Sequence, residues 1–313
     1  MRAVVSSEGA VTVVERPDPE PGAGELLVAV RAAGLNNADT LQARGRSPAP
    51  PGSSPDILGL ELAGEVIGVG PQVARFHVGD RVMAVMGGGA QAERAVVHER
   101  LAMPVPDGLS WESAGAFPEV FSTAHDALFT QGQLAMGERL LVHGAAGGVG
   151  TAAVQLGAAA GARVTATVRN PEHRQPGADL GAEAVAPEDF AARGPFDVIL
   201  ELVGGPNLAD NLSALGVGGR ISVIGTGAGA TAELNLGQLM GKRARLSGST
   251  LRARPLEAKA DVARRVEAQV LPLLAAGKVR VLICDRYPLS EAPAAYQRFA
   301  AGRKLGKIVL TPG

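Results

Sequence analysis

One stretch constrains the fold more than any other part of the chain. Residues 139–155 read RLLVHGAAGGVGTAAVQ, an apolar run followed by clustered glycines and then by a helix-forming segment. Glycines at 144, 147 and 150 give a G-x-x-G-x-x-G spacing, a variant of the dinucleotide-binding G-x-G-x-x-G pattern. Glycine lets the backbone approach a pyrophosphate, and the following helix N-terminus supplies N–H groups and partial positive charge. The stretch predicts a dinucleotide site, although tight strand–helix turns also use glycine for steric reasons alone.

The segments around this turn alternate between strand and helix patterns. We predict strands over 139–143, 163–168, 196–202 and 219–224, and helices over 111–117, 123–129, 148–160 and 207–215. This alternation is typical of a parallel, doubly wound sheet. Residues 140–162 contain no Asp, Glu, Lys or Arg, and this uncharged segment is long enough for a bilayer span. The glycine cluster inside this segment favours a strand, a tight loop and a buried helix instead.

The N-terminal third of the chain has a different secondary-structure pattern, dominated by short strands. Short strands are expected over 1–5, 11–15, 25–33, 61–69 and 81–86, with a Glu8–Gly9 turn and a short helix over 37–43. Many short strands at close spacing suggest a small barrel. Near the end, helices are expected over 255–276 and 296–301 and a strand over 306–310. The length of 313 residues and the presence of these two secondary-structure patterns predict two domains.

Composition excludes several classes of function. The 30 Lys and Arg residues nearly balance the 31 Asp and Glu residues, so binding to nucleic acid or to an anionic membrane has no electrostatic support. The single cysteine, Cys284, excludes an intramolecular disulfide, a Cys-based structural zinc site and a Cys-ligated iron–sulfur cluster. The N-terminus lacks the apolar core of a secretory signal peptide. We therefore expect a cytoplasmic protein without a membrane segment.

The strand after the glycine loop indicates which cofactor is used. A NAD site usually places Asp or Glu about 20 residues beyond the glycines, where it binds the ribose 2′-hydroxyl. Residues 163–170 read RVTATVRN and contain no acid; Arg169 ends the strand, and His173 and Arg174 follow. Such a cationic cluster fits a 2′-phosphate, although an ordinary solvated arginine is the alternative. We predict NADPH rather than NADH, with Thr167 beside these cations.

Short motifs spread over nearly the whole chain carry a family resemblance. They are PGAGELLV (21–28), AGLNNAD (33–39), ILGLELAG (57–64), VGDRV (78–82), PEVFSTA (118–124), GSTLR (248–252) and GKIVL (306–310). With the glycine loop, they resemble the medium-chain dehydrogenase/reductase superfamily, and within it the zinc-independent quinone oxidoreductases. The resemblance implies an α/β fold with a GroES-like β-barrel domain (1–121 and 255–313) and a Rossmann domain (122–254) with a doubly wound parallel sheet. It also implies an active site in the cleft between the domains. Relatives are usually dimers or tetramers, and we expect a homodimer.

The resemblance also allows zinc to be tested. Zinc alcohol dehydrogenases of the superfamily carry Cys where this chain has Asn36, and Gly-His-Glu where it has Gly-Leu-Glu at 59–61. The four-cysteine structural lobe is missing as well, and the five histidines show no ligand-like pairing. We therefore predict no metal. His143 lies in an apolar strand, where we expect a satisfied core histidine.

The resemblance implies individual roles for several residues. Asn36 and Thr123 would meet the nicotinamide end of the cofactor and are the candidate catalytic residues. Asn36 offers a donor and an acceptor to a carboxamide or to the substrate carbonyl; the alternative is an asparagine that satisfies loop backbone. Asp39 and Glu61 match family positions and are interpreted as structural. The residues expected to contact the cofactor are Ala146, Gly147, Gly148, Val149, Thr167, Arg169, His173, Arg174, Gly225 and Leu251.

The sequence therefore indicates an NADPH-dependent reductase that transfers hydride to a quinone or another electron-poor conjugated carbonyl without zinc. One alternative is an alkene reductase acting on enones or enoyl thioesters. Another is a weakly catalytic NADPH-binding sensor or structural protein. Relatives often carry a tyrosine in a Gly-x-Tyr-Pro stretch where this chain has Ser47, so an aromatic wall for stacking a quinone is not expected there.

Overall fold

The computed structural model describes residues 1–7 and 9–312. Internal contacts divide the chain into two units: the first runs Met1–Ser122 and resumes at Leu251, and the second is Thr123–Thr250. The sequence placed the second boundary after residue 254, four residues later than the end of the second unit at 250. Leu251 therefore belongs to the first unit. Of the expected Glu8–Gly9 turn, Glu8 lies outside the described residues.

The strands and helices of the described residues are as follows. The strands are β1 (Arg2–Ser7), β2 (Ala10–Glu15), β3 (Glu25–Gly34), β4 (Glu61–Val69), β5 (Arg81–Val85), β6 (Arg94–His98), β7 (Ala102–Pro104), β8 (Arg139–Val142), β9 (Arg163–Thr167), β10 (Ala182–Val185), β11 (Phe196–Glu201), β12 (Leu215–Val223), β13 (Arg245–Gly248), β14 (Ile283–Pro288) and β15 (Lys307–Thr311). The α-helices are α1 (Asn37–Ala43), α2 (Trp111–Gly115), α3 (Pro118–His125), α4 (Gly148–Ala159), α5 (Arg174–Ala178), α6 (Leu208–Ala214), α7 (Leu236–Gly241), α8 (Leu256–Gln269), α9 (Leu271–Ala275) and α10 (Ala292–Ala300).

The second unit contains a parallel sheet in the order β10-β9-β8-β11-β12-β13. With β8 as the first strand, this is the 3-2-1-4-5-6 order of the Rossmann fold. Its core includes Leu141 of β8, Ile199 of β11 and Ile221 of β12. The strand order reverses between β8 and β11, and ligands of such sheets bind outside the carboxyl ends of the strands at that point. The predicted Rossmann architecture is confirmed.

The first unit is built on a mostly antiparallel sheet in the order β14-β15-β3-β4-β5-β7, with β6 also paired to β3. The long strand β3 has three partners: β4 along most of its length, β6 at residues 25–29, and β15 at residues 33–34. Leu26, Val28 and Leu62 are buried on this sheet. The expected GroES-like domain is confirmed, and the C-terminal strand β15 is part of its sheet.

Two helical predictions differ from the structure in instructive ways. The helix expected over 255–276 is divided into α8 and α9 at Val270, because Pro272 has no N–H to continue the hydrogen-bond ladder. The segment expected to be helical over 123–129 belongs to α3 and to a π-helical turn at Asp126–Gln131. The uncharged segment 140–162 forms β8, the glycine loop and α4, as predicted. In the described part of the chain, no helix combines the length and apolar character that a bilayer span requires.

Candidate functional site

The glycine loop begins directly after β8, at the reversal of strand order. Gly144 has a φ of +62°, in the left-handed region that favours glycine. A Cβ on Gly150 would lie 2.5 Å from the Gly144 oxygen and 2.6 Å from Cα of Ala145, whereas a Cβ on Gly147 would meet only the Gly144 oxygen, at 3.5 Å. The packing of the loop against the helix therefore requires Gly150. It does not require Gly147, whose lack of a side chain leaves room for a ligand.

Helix α4 presents its N-terminus at this loop. Gly147 is its N-cap residue, and residues 146–149 are partly exposed. The first N–H groups of an α-helix have no partner within the helix, and the first turn of α4 carries no acidic side chain. The open positive end of a 12-residue helix is suited to an anion such as a pyrophosphate. Ala146, Gly147, Gly148 and Val149 thus lie together where the sequence predicted a phosphate cradle.

The predicted cations follow β9 at the same edge of the sheet. Arg169 is exposed, and His173 and Arg174 are half-buried. Nε of Arg174 donates to the Val168 carbonyl at 3.2 Å, which holds this side chain against the end of the strand. Thr167 differs from these cations because its side chain is buried and its hydroxyl lies 3.1 Å from Nδ1 of His143.

A buried polar network joins the ends of the central strands. Asn211 donates through Nδ2 to Glu201 at 2.7 Å, so its Oδ1 must accept from Nε2 of His143, at 2.7 Å. His143 Nδ1 then accepts from the hydroxyl of Thr167. Burial lowers the pKa of His143, and the Glu201 carboxylate opposes this effect only in part. His143 is thus a neutral, fully bonded core residue, as its apolar strand predicts, and it fixes the edge from which the glycine loop starts.

The remaining predicted contacts are divided between the two units. Gly225, just after β12, donates its N–H to the Glu201 carbonyl at 3.2 Å, and a Cβ there would lie 2.4 Å from the Leu202 oxygen. Its identity is therefore explained by backbone packing. Leu251 is buried in the first unit beside a small cavity that Met103 also lines. Thr123 is half-buried in α3. The ligand contacts of these residues stay predictions.

The first unit contains a buried charged cluster around Asn36. The ammonium of Lys307 donates to Oδ1 of Asn36 at 2.5 Å and to the Leu35 carbonyl at 2.6 Å. It also pairs with Oε1 of Glu61 at 2.7 Å. Nδ2 of Asn36 donates to the same Glu61 oxygen at 2.9 Å. Asn36, Glu61 and Lys307 are 8%, 0% and 3% exposed, so three mutually bonded polar groups share one desolvated pocket.

Asp39 extends this cluster with a carboxyl group of unusual protonation. Its Oδ2 accepts from the backbone N–H of Asn36 at 2.8 Å, which fixes the start of α1. Its Oδ1 is buried without a hydrogen-bond partner among the described residues. Burial raises the pKa of Asp39 to about 7, and the positive charges of Lys307 and Arg252 oppose this increase. The structural interpretation of Asp39 and Glu61 agrees with these contacts.

Sequence reasoning did not single out Lys307 or Arg252. Arg252 donates to the carbonyl oxygens of Gly87 at 2.8 Å and Ser47 at 3.2 Å, and also to Gln42. One signal was present for Lys307: it begins the buried strand KIVLT, and a lysine in a buried strand requires a partner for its charge. Nothing local to the sequence identified Glu61, about 250 residues away, as that partner.

Histidine, cysteine and carboxylate side chains do not gather into a metal site in the part of the chain that the structure describes. No group of three or more is arranged to hold an ion there. The cation of the buried cluster in the first unit is the ammonium of Lys307, and its partners are oxygen atoms.

Comparisons with known proteins agree with this architecture. The alcohol dehydrogenase GroES-like domain family matches residues 22–107, and the zinc-binding dehydrogenase family matches residues 177–310. A quinone oxidoreductase of Pseudomonas aeruginosa is 36% identical over 308 residues, which are 94% of this chain and 93% of that protein. Erythronolide synthase EryA2 of Saccharopolyspora erythraea is 35% identical over 98% of this chain, but the match spans only 9% of the synthase.

Solved structures show the same relationship. A mycobacterial protein complexed with NADPH is 29% identical and has a TM-score of 0.89, with 100% of both chains covered. The similarity in sequence and structure thus extends over both units. With a quinone oxidoreductase at 36% identity along nearly its whole length, the chain belongs to the medium-chain dehydrogenase/reductase superfamily.

Proposed function

We propose that this oxidoreductase is an NADPH-dependent reductase that transfers hydride to a quinone or to another electron-poor conjugated carbonyl, without zinc. The observation that carries the proposal is the open N-terminus of α4 at the strand-order reversal, with Gly147 free of any packing constraint. The named quinone oxidoreductase and the NADPH-bound relative support the acceptor class and the cofactor.

The residues around the glycine loop fit a dinucleotide phosphate. The N–H groups of the first turn of α4 would hold the pyrophosphate, and Gly147 would let it approach the backbone closely. Arg169, with His173 and Arg174 nearby, would bind the 2′-phosphate through charge-assisted hydrogen bonds. The strand before these cations lacks the acid that binds a free 2′-hydroxyl, so this site favours NADPH over NADH.

The chain's own contribution to the reaction is binding, orientation and exclusion of water. When bound, the nicotinamide supplies the hydride. Asn36 is the proposed contact for the acceptor carbonyl, and Thr123 for the nicotinamide end of the cofactor. An electron-poor acceptor needs little acid assistance, so the proton can come from solvent.

The proposal that zinc takes no part rests on the residues at the expected ligand positions. Asn36 and Leu60 stand where the zinc enzymes of the superfamily carry Cys and His, and neither offers the thiolate or imidazole ligand that zinc prefers. The Asn36 amide is moreover bonded to Glu61 and Lys307. We therefore propose that this chain binds no zinc, although the family matching residues 177–310 is that of the zinc-binding dehydrogenases.

An alkene reductase acting on enones or enoyl thioesters is the second candidate. The 35% identity to a segment of a polyketide synthase favours it. Both candidates use the same cofactor site and differ in the acceptor. A protein that binds NADPH without turnover is the third possibility, and the same assay distinguishes it.

The test is oxidation of NADPH by the purified protein with a para-quinone, with NADH and a simple enone in parallel. Rapid turnover of the quinone with preference for NADPH is the expected result. Turnover of the enone alone would replace the quinone by the alkene candidate. Tight NADPH binding with neither acceptor reduced would contradict both reductase proposals.

We also propose a homodimer that forms through the edge of the parallel sheet. Strand β13 is paired only to β12 within residues 123–250, all of which are described. Leu246 on this strand is exposed, as are Val217, Leu236 and Met240. An unpaired strand edge with exposed apolar side chains is suited to pairing with a second copy. Sedimentation should give a dimer that Leu246→Lys weakens; a monomeric wild type would contradict the proposal.

A further inference from the structure

The contacts of Asn36 fix which way its amide points. The oxygen and nitrogen of an amide must be assigned from their partners, and both partners here are unambiguous. An ammonium group only donates hydrogen bonds, whereas a carboxylate only accepts them. Oδ1 of Asn36 must therefore face Lys307, and Nδ2 must face Glu61. The reversed amide would set donor against donor and acceptor against acceptor in a buried pocket.

This orientation limits what Asn36 can offer to a ligand. Nδ2 carries two hydrogens, and one is used by Glu61. Among the described residues, Glu61 is the only hydrogen-bond partner of Nδ2, and Asn36 as a whole is 8% exposed. The amide oxygen is occupied by a cation, which also polarises the amide and strengthens its remaining N–H as a donor. The second lone pair of Oδ1 lies beside the Lys307 ammonium, whose charge disfavours the approach of a further N–H group. Asn36 is thus better placed to donate a hydrogen bond to a ligand than to accept one.

We propose that Lys307 is a positioning residue that holds Asn36 as a hydrogen-bond donor to the carbonyl oxygen of the acceptor, with Glu61 as the second anchor of the amide. The inference rests on the proposed function, in which Asn36 contacts the acceptor. It identifies the group that Asn36 recognises as the carbonyl oxygen of the hydride-accepting substrate. A carboxamide N–H group, which would need a hydrogen-bond acceptor on Asn36, is not the expected partner.

The proposed geometry matches the movement of charge in the reaction. As hydride adds to a conjugated acceptor, a new C–H bond forms and the π electron pair moves toward the carbonyl oxygen. The acceptor is reduced, NADPH is oxidised to NADP⁺, and a solvent proton completes the product. A donor aimed at that oxygen binds it more strongly as its negative charge grows, so the contact lowers the barrier as well as aiding binding.

The first test removes both buried charges together. The double variant Lys307→Met with Glu61→Gln avoids leaving an unpaired buried charge, and Lys278→Met at an exposed lysine is the matched control. We expect kcat with the quinone to fall about tenfold, the effect of losing one ordinary hydrogen bond in the transition state. The Kd for NADPH should be unchanged in both variants. An unchanged kcat in the double variant would overturn the proposal.

The second test asks whether Lys307 acts through Asn36. The same two substitutions are made in an Asn36→Ala background, where the amide is already absent. We expect them to change kcat by less than about twofold there, because effects on one shared contact are not additive. A tenfold loss in that background as well would show that Lys307 affects the reaction independently of Asn36, which contradicts the proposed role.

The third test needs no turnover and so separates this inference from the proposed function. Lys307→Ala leaves space beside the Glu61 carboxylate, and ethylammonium can replace the missing group. We expect ethylammonium chloride to raise the Tm of Lys307→Ala above its value in equimolar sodium chloride, with no such difference for the wild type. If the variant does not fold in sodium chloride, refolding in ethylammonium is the corresponding readout. The absence of any selective effect would refute an ammonium-specific site, whether or not the wild type reduces quinones.

Discussion

The buried carboxyl of Asp39 predicts an unusual dependence of stability on pH. Burial raises its pKa from 3.8 to about 7, so the folded first unit favours the protonated form. A carboxyl whose pKa is raised on folding contributes stability below its unfolded pKa, and this contribution is lost as pH rises through the folded pKa. A shift of about 3 units corresponds to about 4 kcal/mol as an upper limit. The loss should extend from about pH 4 to about pH 7.

The substitution Asp39→Asn isolates this contribution. It keeps a neutral acceptor for the backbone N–H of Asn36 and cannot ionise. We expect the free energy of unfolding of the variant, relative to wild type, to increase by up to about 4 kcal/mol between pH 4 and pH 8. Trp111 is the only tryptophan and lies in the first unit. Urea unfolding followed by its fluorescence therefore reports on the correct unit.

Asp56 provides a control of opposite sign. A hydrogen bond from Arg16 lowers the pKa of Asp56, so its contribution to stability is present at neutral pH and is lost on acidification. The free energy of unfolding of Asp56→Asn, relative to wild type, should therefore decrease as pH rises. That of Asp39→Asn, relative to wild type, should increase. Parallel pH profiles of wild type and Asp39→Asn would refute the reasoning, because they would mean that Asp39 is ionised in the folded protein as readily as in the unfolded chain.

The cofactor site gives three further predictions. Gly147→Ala should fold normally and weaken NADPH binding about tenfold in a fluorescence titration. Gly150→Ala should instead lose about 1–3 kcal/mol of stability, because its Cβ meets backbone atoms. Equal effects of the two substitutions on binding and on stability would contradict this distinction. Arg169→Glu should reduce the preference for NADPH over NADH about tenfold to a hundredfold in kcat/KM; an unchanged ratio would remove Arg169 from the phosphate site. Dialysis against EDTA should leave turnover unchanged, and a loss restored by added zinc would overturn the metal-free proposal.

The architecture was largely predictable because its signals are local. The glycine spacing at 144–150 and the alternation of apolar strands with helices depend on neighbouring residues, and the structure has the expected parallel sheet. Strands β10 and β13 were missed because each has only four residues and neither contains a run of buried side chains. The break at Val270 was missed although Pro272 announced it.

The candidate site was predictable only where it is contiguous in the chain. The phosphate cradle at 146–149 follows from one motif. The environment of Asn36 depends on a lysine 271 positions away, and the inward orientation of Thr167 depends on His143 and its network. Such contacts are set by packing between distant segments, and one sequence contains no direct signal for them.

The position of Lys307 has a consequence for how the protein is made. During synthesis, the strand that carries Glu61 leaves the ribosome long before β15, and the whole second unit is translated in between. Until Lys307 arrives, the carboxylate of Glu61 lacks the cation that balances it in the pocket, so closure of that pocket is unfavourable. The second unit is contiguous and can fold as soon as it emerges, since domains generally fold as units. We therefore expect the second unit to fold first. The pocket around Glu61 in the first unit should close only after Lys307 has been synthesised.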